Sequence, residues 1–186
     1  MARKFRRKSA ATYGWTSAVT LLVLFGVTLW VSRSLRLADI PSKSMAPTLL
    51  PGDIVTNRID AYRGRMPRRG EIVLFRDKQD GGLLIKRVIG EPGETLTVWS
   101  GRVWIGRRRL VESYATGQHI RERPITRTLG DDEVWVMGDN RDFSDDSRDF
   151  GPVNKSQLVG RATAIIWPAA RRQRLDPPTD ATPPAK

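Results

Sequence analysis

Beyond residue 50 the chain alternates apolar and polar side chains in short bursts, whereas one stretch near its start carries no charge at all. That stretch runs for 24 residues, Ser9 to Ser32, around the apolar centre SAVTLLVLFGVTLWV. As a helix it would reach about 36 Å at 1.5 Å per residue, against about 30 Å of hydrocarbon in a bilayer. Trp15 and Trp30 fall near its two ends, where indoles favour the lipid–water interface. The pattern predicts a transmembrane helix over 10–32. A cleaved secretory signal is the rival reading, since Ser32-Arg33-Ser34 places small residues around a larger one. The length of the run and the arginines that follow it favour a retained anchor.

Period-two runs predict strands further on: DIVTNRI (53–59), EIVLFR (71–76), LLIKRVIG (83–90), TLTVW (95–99), RVWIG (102–106), EVWVM (133–137) and LVGRATAIIW (158–167). TLTVWSGRVWIG reads as a hairpin turning at Ser100-Gly101. No helical period of useful length appears outside the anchor. Residues 111–132 are weakly patterned and read as a loop or excursion, with 99–133 as a reduced accessory hairpin. The Pro-rich stretch 171–186 reads as a disordered tail. The expected architecture is mainly β: an antiparallel catalytic domain over 33–170 on one N-terminal transmembrane helix, behind a basic N-terminus (1–9).

Composition narrows the chemistry. The 186 residues hold no cysteine, which removes thiol catalysis and thiolate metal sites. The net charge of +12 would suit nucleic acid or an anionic membrane. Five of the basic residues (Arg3, Lys4, Arg6, Arg7, Lys8) precede any acid and abut the apolar run, whereas only Arg33 and Arg36 follow it closely. This asymmetry puts the N-terminus in the cytoplasm and the β-rich part outside.

Two serines, Ser42 and Ser44, stand one residue apart in IPSKSMAPTLLPGD (40–53). A serine needs a base to become a nucleophile. The single histidine, His119, lies in the weakly patterned ATGQHIRERP and reads as a solvated loop residue. Lysine is the other base known to partner serine. At an ordinary pKa only about 0.04% of it is neutral at pH 7, so such a lysine has to be buried. Lys86 in GGLLIKRVIGEPGE shares a strand face with Leu84 and Val88, while Arg87 lies on the other face with Ile85 and Ile89. Taken alone, the segment favours a snorkelling edge-strand lysine. GDNRDFSDDSRDFG (138–151) lacks the order of a calcium loop. It reads either as a turn of paired charges or as carboxylates holding arginines around a site.

In order, PSKSMAPTLLPGD, KRVIGEPGE and GDNRDFSDDSR behind a basic start and an apolar span resemble the motif boxes of bacterial type I signal peptidases (leader peptidases), membrane-bound Ser–Lys serine proteases. The resemblance covers most of residues 1–167. It implies Ser44 as nucleophile, Lys86 as general base, and the Ser42 hydroxyl beside the Ser44 N–H in an oxyanion hole. Ser144 matches the serine that hydrogen-bonds the lysine amine, Asp146 and Arg148 match a supporting pair, and Arg87 with Asp139 a second pair. Ile40, Leu49 and Ile85 are implied as walls of shallow pockets for Ala-like side chains. The chain departs from the family at Lys43, often glycine or an acid there, and in the shortness of its segment from Trp99 to Glu133.

The implied activity is removal of signal peptides from exported precursors by cleavage after small residues, at the outer or periplasmic face of the bacterial cytoplasmic (inner) membrane. The expected partners are those signal peptides and membrane lipids, with no nucleic acid, metal or cofactor, and the expected state is a monomer. A specialised maturation peptidase of the same family, as for conjugative pilins, fits the same motifs. A membrane-anchored basic binding module is the alternative from another class, and the interleaving of bases with acids after the anchor argues against it.

Overall fold

The computed structural model describes residues 17–26, 34–118 and 123–178. His119, Trp15, Trp30, the basic N-terminus and residues 179–186 lie outside them, as do both ends of the expected 10–32 span. Residues 17–26 are helical, with Val19, Leu21, Leu22, Val23, Leu24 and Phe25 each between 56% and 70% exposed. Among the described residues no helix is long and apolar enough to cross a membrane.

Residues from Arg36 onward form a separate unit. All seven expected strands are present, trimmed by a residue or so at their ends. They are β2 (Ile54–Arg58), β3 (Ile72–Arg76), β4 (Leu83–Gly90), β5 (Thr95–Trp99), β6 (Arg102–Ile105), β9 (Glu133–Met137) and β11 (Leu158–Trp167). Five strands join them: β1 (Leu35–Asp39), β7 (Arg108–Arg109), β8 (Ile125–Thr128), β10 (Val153–Asn154) and β12 (Gln173–Arg174). The large sheet runs β1-β2-β11-β3-β4-β9-β10, with β12 also on β11, and its described ladders from β2 to β10 are antiparallel.

Alternation along the central strands gives this sheet two cores. Ile72, Leu74, Val55 and Ile165 pack on one face with Ile40, Met45 and Leu49. Val73, Phe75, Val88, Val134 and Val136 pack on the other. β3 is buried at four of its five positions, as befits a strand covered on both faces.

The accessory region exceeds the expected hairpin. It is a four-stranded antiparallel sheet, β7-β6-β5-β8, with its own core of Leu96, Val98, Val103 and Leu110 against Ile89, Trp135 and Met137. The β5–β6 hairpin does turn at Ser100-Gly101, both at positive φ (47° and 70°), which matches the twist of paired strands. β8 escaped the sequence reading because ITRT is exposed or half-buried throughout and shows no apolar alternation. Its ladder is marked instead by threonine pairs, Thr95–Thr128 at 2.8 Å and Thr97–Thr126 at 3.0 Å.

The tail reading also needs correction over 171–178. Arg171 binds Asp53 through Nε at 2.8 Å and Nη2 at 3.0 Å, and Leu175 is 6% exposed in the core. An ion pair and one buried leucine dock a stretch that composition alone marked as unstructured.

Candidate active site

Residues 41–50 leave β1 as a tight turn, with Ala46 N donating to Lys43 O at 3.0 Å and Leu49 N to Met45 O at 2.9 Å. Met45 and Leu49 are both 0% exposed and plug this turn into the core. With its apolar neighbour Met45 buried, Ser44 stands at the wall of a cleft, while Lys43 is exposed. Arg171 Nη2 donates to Thr48 O at 3.2 Å, so the docked tail also braces the turn.

Lys86 sits mid-strand in β4, which is flanked by β3 and β9. Its face is the apolar one of Val88 and Val73, as the alternation predicts, and it is 4% exposed. Its Nζ lies 2.9 Å from Ser44 Oγ. Burial holds the amine below the ordinary lysine range. Asp146 and Asp145 pull it partly back and Arg148 pushes it down again. The lowered pKa has a consequence of defined sign for stability. Between the folded pKa and the unfolded value of 10.5 the unfolded chain binds the extra proton, so stability rises with pH across that window. Lys86→Met should remove this slope, as thermal melts at several pH values will read.

The GDN loop completes the site. Asn140 N donates to Ser44 O at 3.1 Å, and Asn140 Nδ2 to Lys43 O at 3.3 Å, so both peptide carbonyls around the serine are held. Asp146, fully buried, accepts from Ser144 Oγ at 2.8 Å, Gly138 N at 2.9 Å, and Arg148 Nε and Nη2 at 2.8 and 2.9 Å. Burial alone would raise its pKa, but the Arg148 and other donors leave it below the ordinary carboxylate value. Ser144 was expected to hydrogen-bond the Lys86 amine; its hydroxyl donates to this carboxylate, which needs every donor it can gather in a dry setting.

Gly138 went unmarked in the sequence, yet a Cβ there would lie 2.3 Å from Ser144 Oγ and 2.5 Å from Ser44 O. Both neighbours belong to the site, so neither can yield without moving it. Gly138→Ala should lower peptide cleavage by about 100-fold, the scale of an ångström misplacement, while a folded near-ultraviolet spectrum persists.

Two buried ion pairs fix that loop. Arg87 forms a fork on Asp139 at 2.8 and 2.6 Å, donates to Gly70 O at 2.9 Å, and lies 4.2 Å from the Tyr114 ring centre. Thr48 Oγ1 donates to Asp139 Oδ2 at 2.5 Å, tying the pair to the serine turn. Arg141, 0% exposed, forks onto Glu112 at 3.1 and 2.6 Å and donates to Gly138 O at 3.0 Å. Thr116 N also donates to Asp139 O at 2.8 Å. The supporting role of Glu112, Tyr114 and Thr116 was missed because 111–132 has no period. Arg141 was visible only as one cation among many.

Ser42, Ser44 and Lys86 line a cleft of about 460 Å³ with Leu84, Phe143 and Phe150. Of the three residues expected to form pockets, Ile40 and Leu49 are 2% and 0% exposed in the core, and Ile85 is half-buried against the same cluster. Their side chains fill the sheet beneath the turn, and the aromatic wall of this cleft comes from Phe143 and Phe150.

Comparison with known protein families and relatives shows where the chain belongs. The family model described as "Signal peptidase, peptidase S26" matches residues 12–167. The chain is 35% identical over 164 residues to "Probable signal peptidase I-2" of Synechocystis sp., covering 85% of this chain and 73% of that protein. It is 35% identical over 176 residues to "Signal peptidase I" of Leptolyngbya laminosa, covering 88% and 82%. A solved signal peptidase I from Enterococcus faecalis aligns at 29% identity and a TM-score of 0.45 over 52% of this chain and 97% of that one. By the extent of its match to the family model and to these relatives, the chain belongs to the signal peptidases, the peptidase S26 family of serine endopeptidases.

Proposed function

We propose that the chain is a membrane-anchored endopeptidase that removes signal peptides from exported precursors, with Ser44 as nucleophile and Lys86 as general base. The observation that carries this reading is the 2.9 Å contact between the Ser44 hydroxyl and the amine of Lys86, a residue only 4% exposed. A neutral amine there takes the Ser44 proton as Oγ attacks the carbonyl that follows a small residue. The Ser44 N–H, now 3.5 Å from Ser42 Oγ, and the Ser42 hydroxyl are the donors nearest the developing oxyanion. A single such donor is typically worth about 3–4 kcal/mol. Protonated Lys86 then supplies the leaving amine, and the same base activates the water that hydrolyses the acyl-enzyme. Asp146 and Arg148 shape the field around the amine, and Arg87 with Asp139 holds the loop.

Membrane anchoring is supported by the apolar side chains exposed on the helix over 17–26 and by the uncharged run that contains it. Ser44 follows the end of that run by 12 residues. This tether would keep it near the outer lipid surface, where a signal peptide's own helix ends, and so raise the effective concentration of the two reactants.

The decisive experiment is cleavage of a peptide carrying an Ala-x-Ala junction by the purified chain in detergent, with product masses read out. Intact peptide in the presence of folded protein refutes the reading. The rate should climb with pH along a limb centred below 10.5, because the neutral fraction of Lys86 grows as protons leave. A flat profile from pH 6 to 10 would count against lysine as the base.

A further inference from the structure

The large sheet carries a second polar concavity on the face that presents Lys86. Arg58, Arg65, Arg161 and Arg174 line a cavity of about 280 Å³, with Thr163 and Asp176. Arg58, Arg161, Val73 and Lys86 are partners across the adjacent strands β2, β11, β3 and β4. At about 4.8 Å per strand, the backbone of Arg161 is therefore ~10 Å along one row from that of Lys86.

The carboxylates nearby do not match these cations. Arg58 gives Nε to Asp60 at 3.0 Å, Arg174 Nε lies 3.2 Å from Asp176, and Arg65 and Arg161 share Glu71 at 2.8 and 3.3 Å. Glu71 also accepts from Tyr62 Oη at 3.1 Å and Arg68 N at 3.2 Å, so its two oxygens are already crowded. Four guanidiniums, each with five N–H donors, thus meet three carboxylates, and Arg161 Nε is buried without a hydrogen-bond partner. A closed ion-pair network would balance its charges and satisfy its buried donors. This one does neither.

The position of the cavity bears on its ligand. Ile40 N donates to Asp53 O at 3.0 Å and Gly52 N to Ile40 O at 2.9 Å, so β1 runs back along β2 toward Arg58. Leu37, on that edge strand, is 64% exposed. An apolar side chain in the open next to a row of guanidiniums suits a ligand that is anionic and belongs near apolar matter.

We propose that the four-arginine cavity binds a phosphate or phosphate-ester anion, either the headgroup of an anionic phospholipid or free phosphate. Guanidinium forks match phosphate oxygens bidentately, which a lysine cluster would not do. The site is separate from the Ser44–Lys86 cleft and stands whether or not the catalytic assignment does.

The test is native mass spectrometry of the full chain in detergent, titrated separately with phosphatidylglycerol, phosphatidylcholine and inorganic phosphate. The variant is Arg58→Gln with Arg174→Gln, two exposed side chains whose loss should leave the fold intact. Wild type should retain one more phosphatidylglycerol than the variant, with affinity falling roughly tenfold or more when both charges go. Retention of the lipid that inorganic phosphate cannot displace assigns the headgroup. Binding of inorganic phosphate alone, lost in the variant, assigns the free anion. Equal binding by wild type and variant, or equal binding of phosphatidylcholine, overturns the proposal. Cleavage of a short soluble peptide should be the same in both proteins, so a failure of the peptidase reading and a failure of this one are seen separately.

Discussion

Ser44→Ala and Lys86→Ala should each lower cleavage of an Ala-x-Ala peptide by about 10⁴–10⁶-fold, the range seen when one member of a nucleophile–base unit is removed. Under the proposed dyad hydroxyl and amine act as one device, so the two losses should not add and the double variant should be as poor as either single one. Lys43→Ala is the internal control. Lys43 is exposed, so its removal should change the rate less than tenfold although it adjoins Ser44. Lys86→Met refines the test by keeping the apolar stem while removing the amine. It should be as inactive as the alanine variant and at least as stable as wild type, since no ionisable group then has to be desolvated. Substantial turnover by Lys86→Met, measured by product mass, would falsify the dyad.

Asp139→Ala should produce the largest loss of stability, about 3–5 kcal/mol. Arg87 and Asp139 are 3% and 0% exposed as side chains, and their fork is the arginine's charge partner in a region packed by Tyr114 and Thr48. Removing the carboxylate leaves a buried guanidinium, which cannot shed its proton. Breaking one side of such a pair costs far more than the pair itself contributes. Activity should fall with stability, because the backbone of residues 138–140 holds the Ser44 carbonyl. Chemical denaturation should show a lower midpoint with an unchanged slope. A midpoint within 1 kcal/mol of wild type would mean that Gly70 O and the Tyr114 ring suffice to hold Arg87.

The strands that carry the site were legible from alternation because their partners impose it. β3 and β4 face apolar layers on both sides, and a two-residue period places Lys86 and Arg87 on opposite faces without further information. The serine turn was legible through its prolines and the apolar residue behind Ser44. By contrast, β8, the docked Arg171 segment and the Glu112–Arg141 pair carry no periodic signal. Each depends on a partner distant in sequence: Glu112 lies 29 residues from Arg141, and Arg171 lies 118 from Asp53. Hydrophobicity marks Ile40 and Leu49 as buried, but only the folded chain sets them beside Met45 under the serine turn.

Local pattern alone therefore determined the β-rich class, the faces of β4 and the candidacy of Ser44 and Lys86, because alternation and turn chemistry act between neighbours. Tertiary structure decided the 2.9 Å meeting of those two groups across 42 residues, the hydrogen bond of Ser144 to Asp146, and the bracing of the GDN loop by Glu112, Tyr114 and Thr116. Those contacts are set by how strands stack and which buried charges must find each other, and no property of a single segment encodes that.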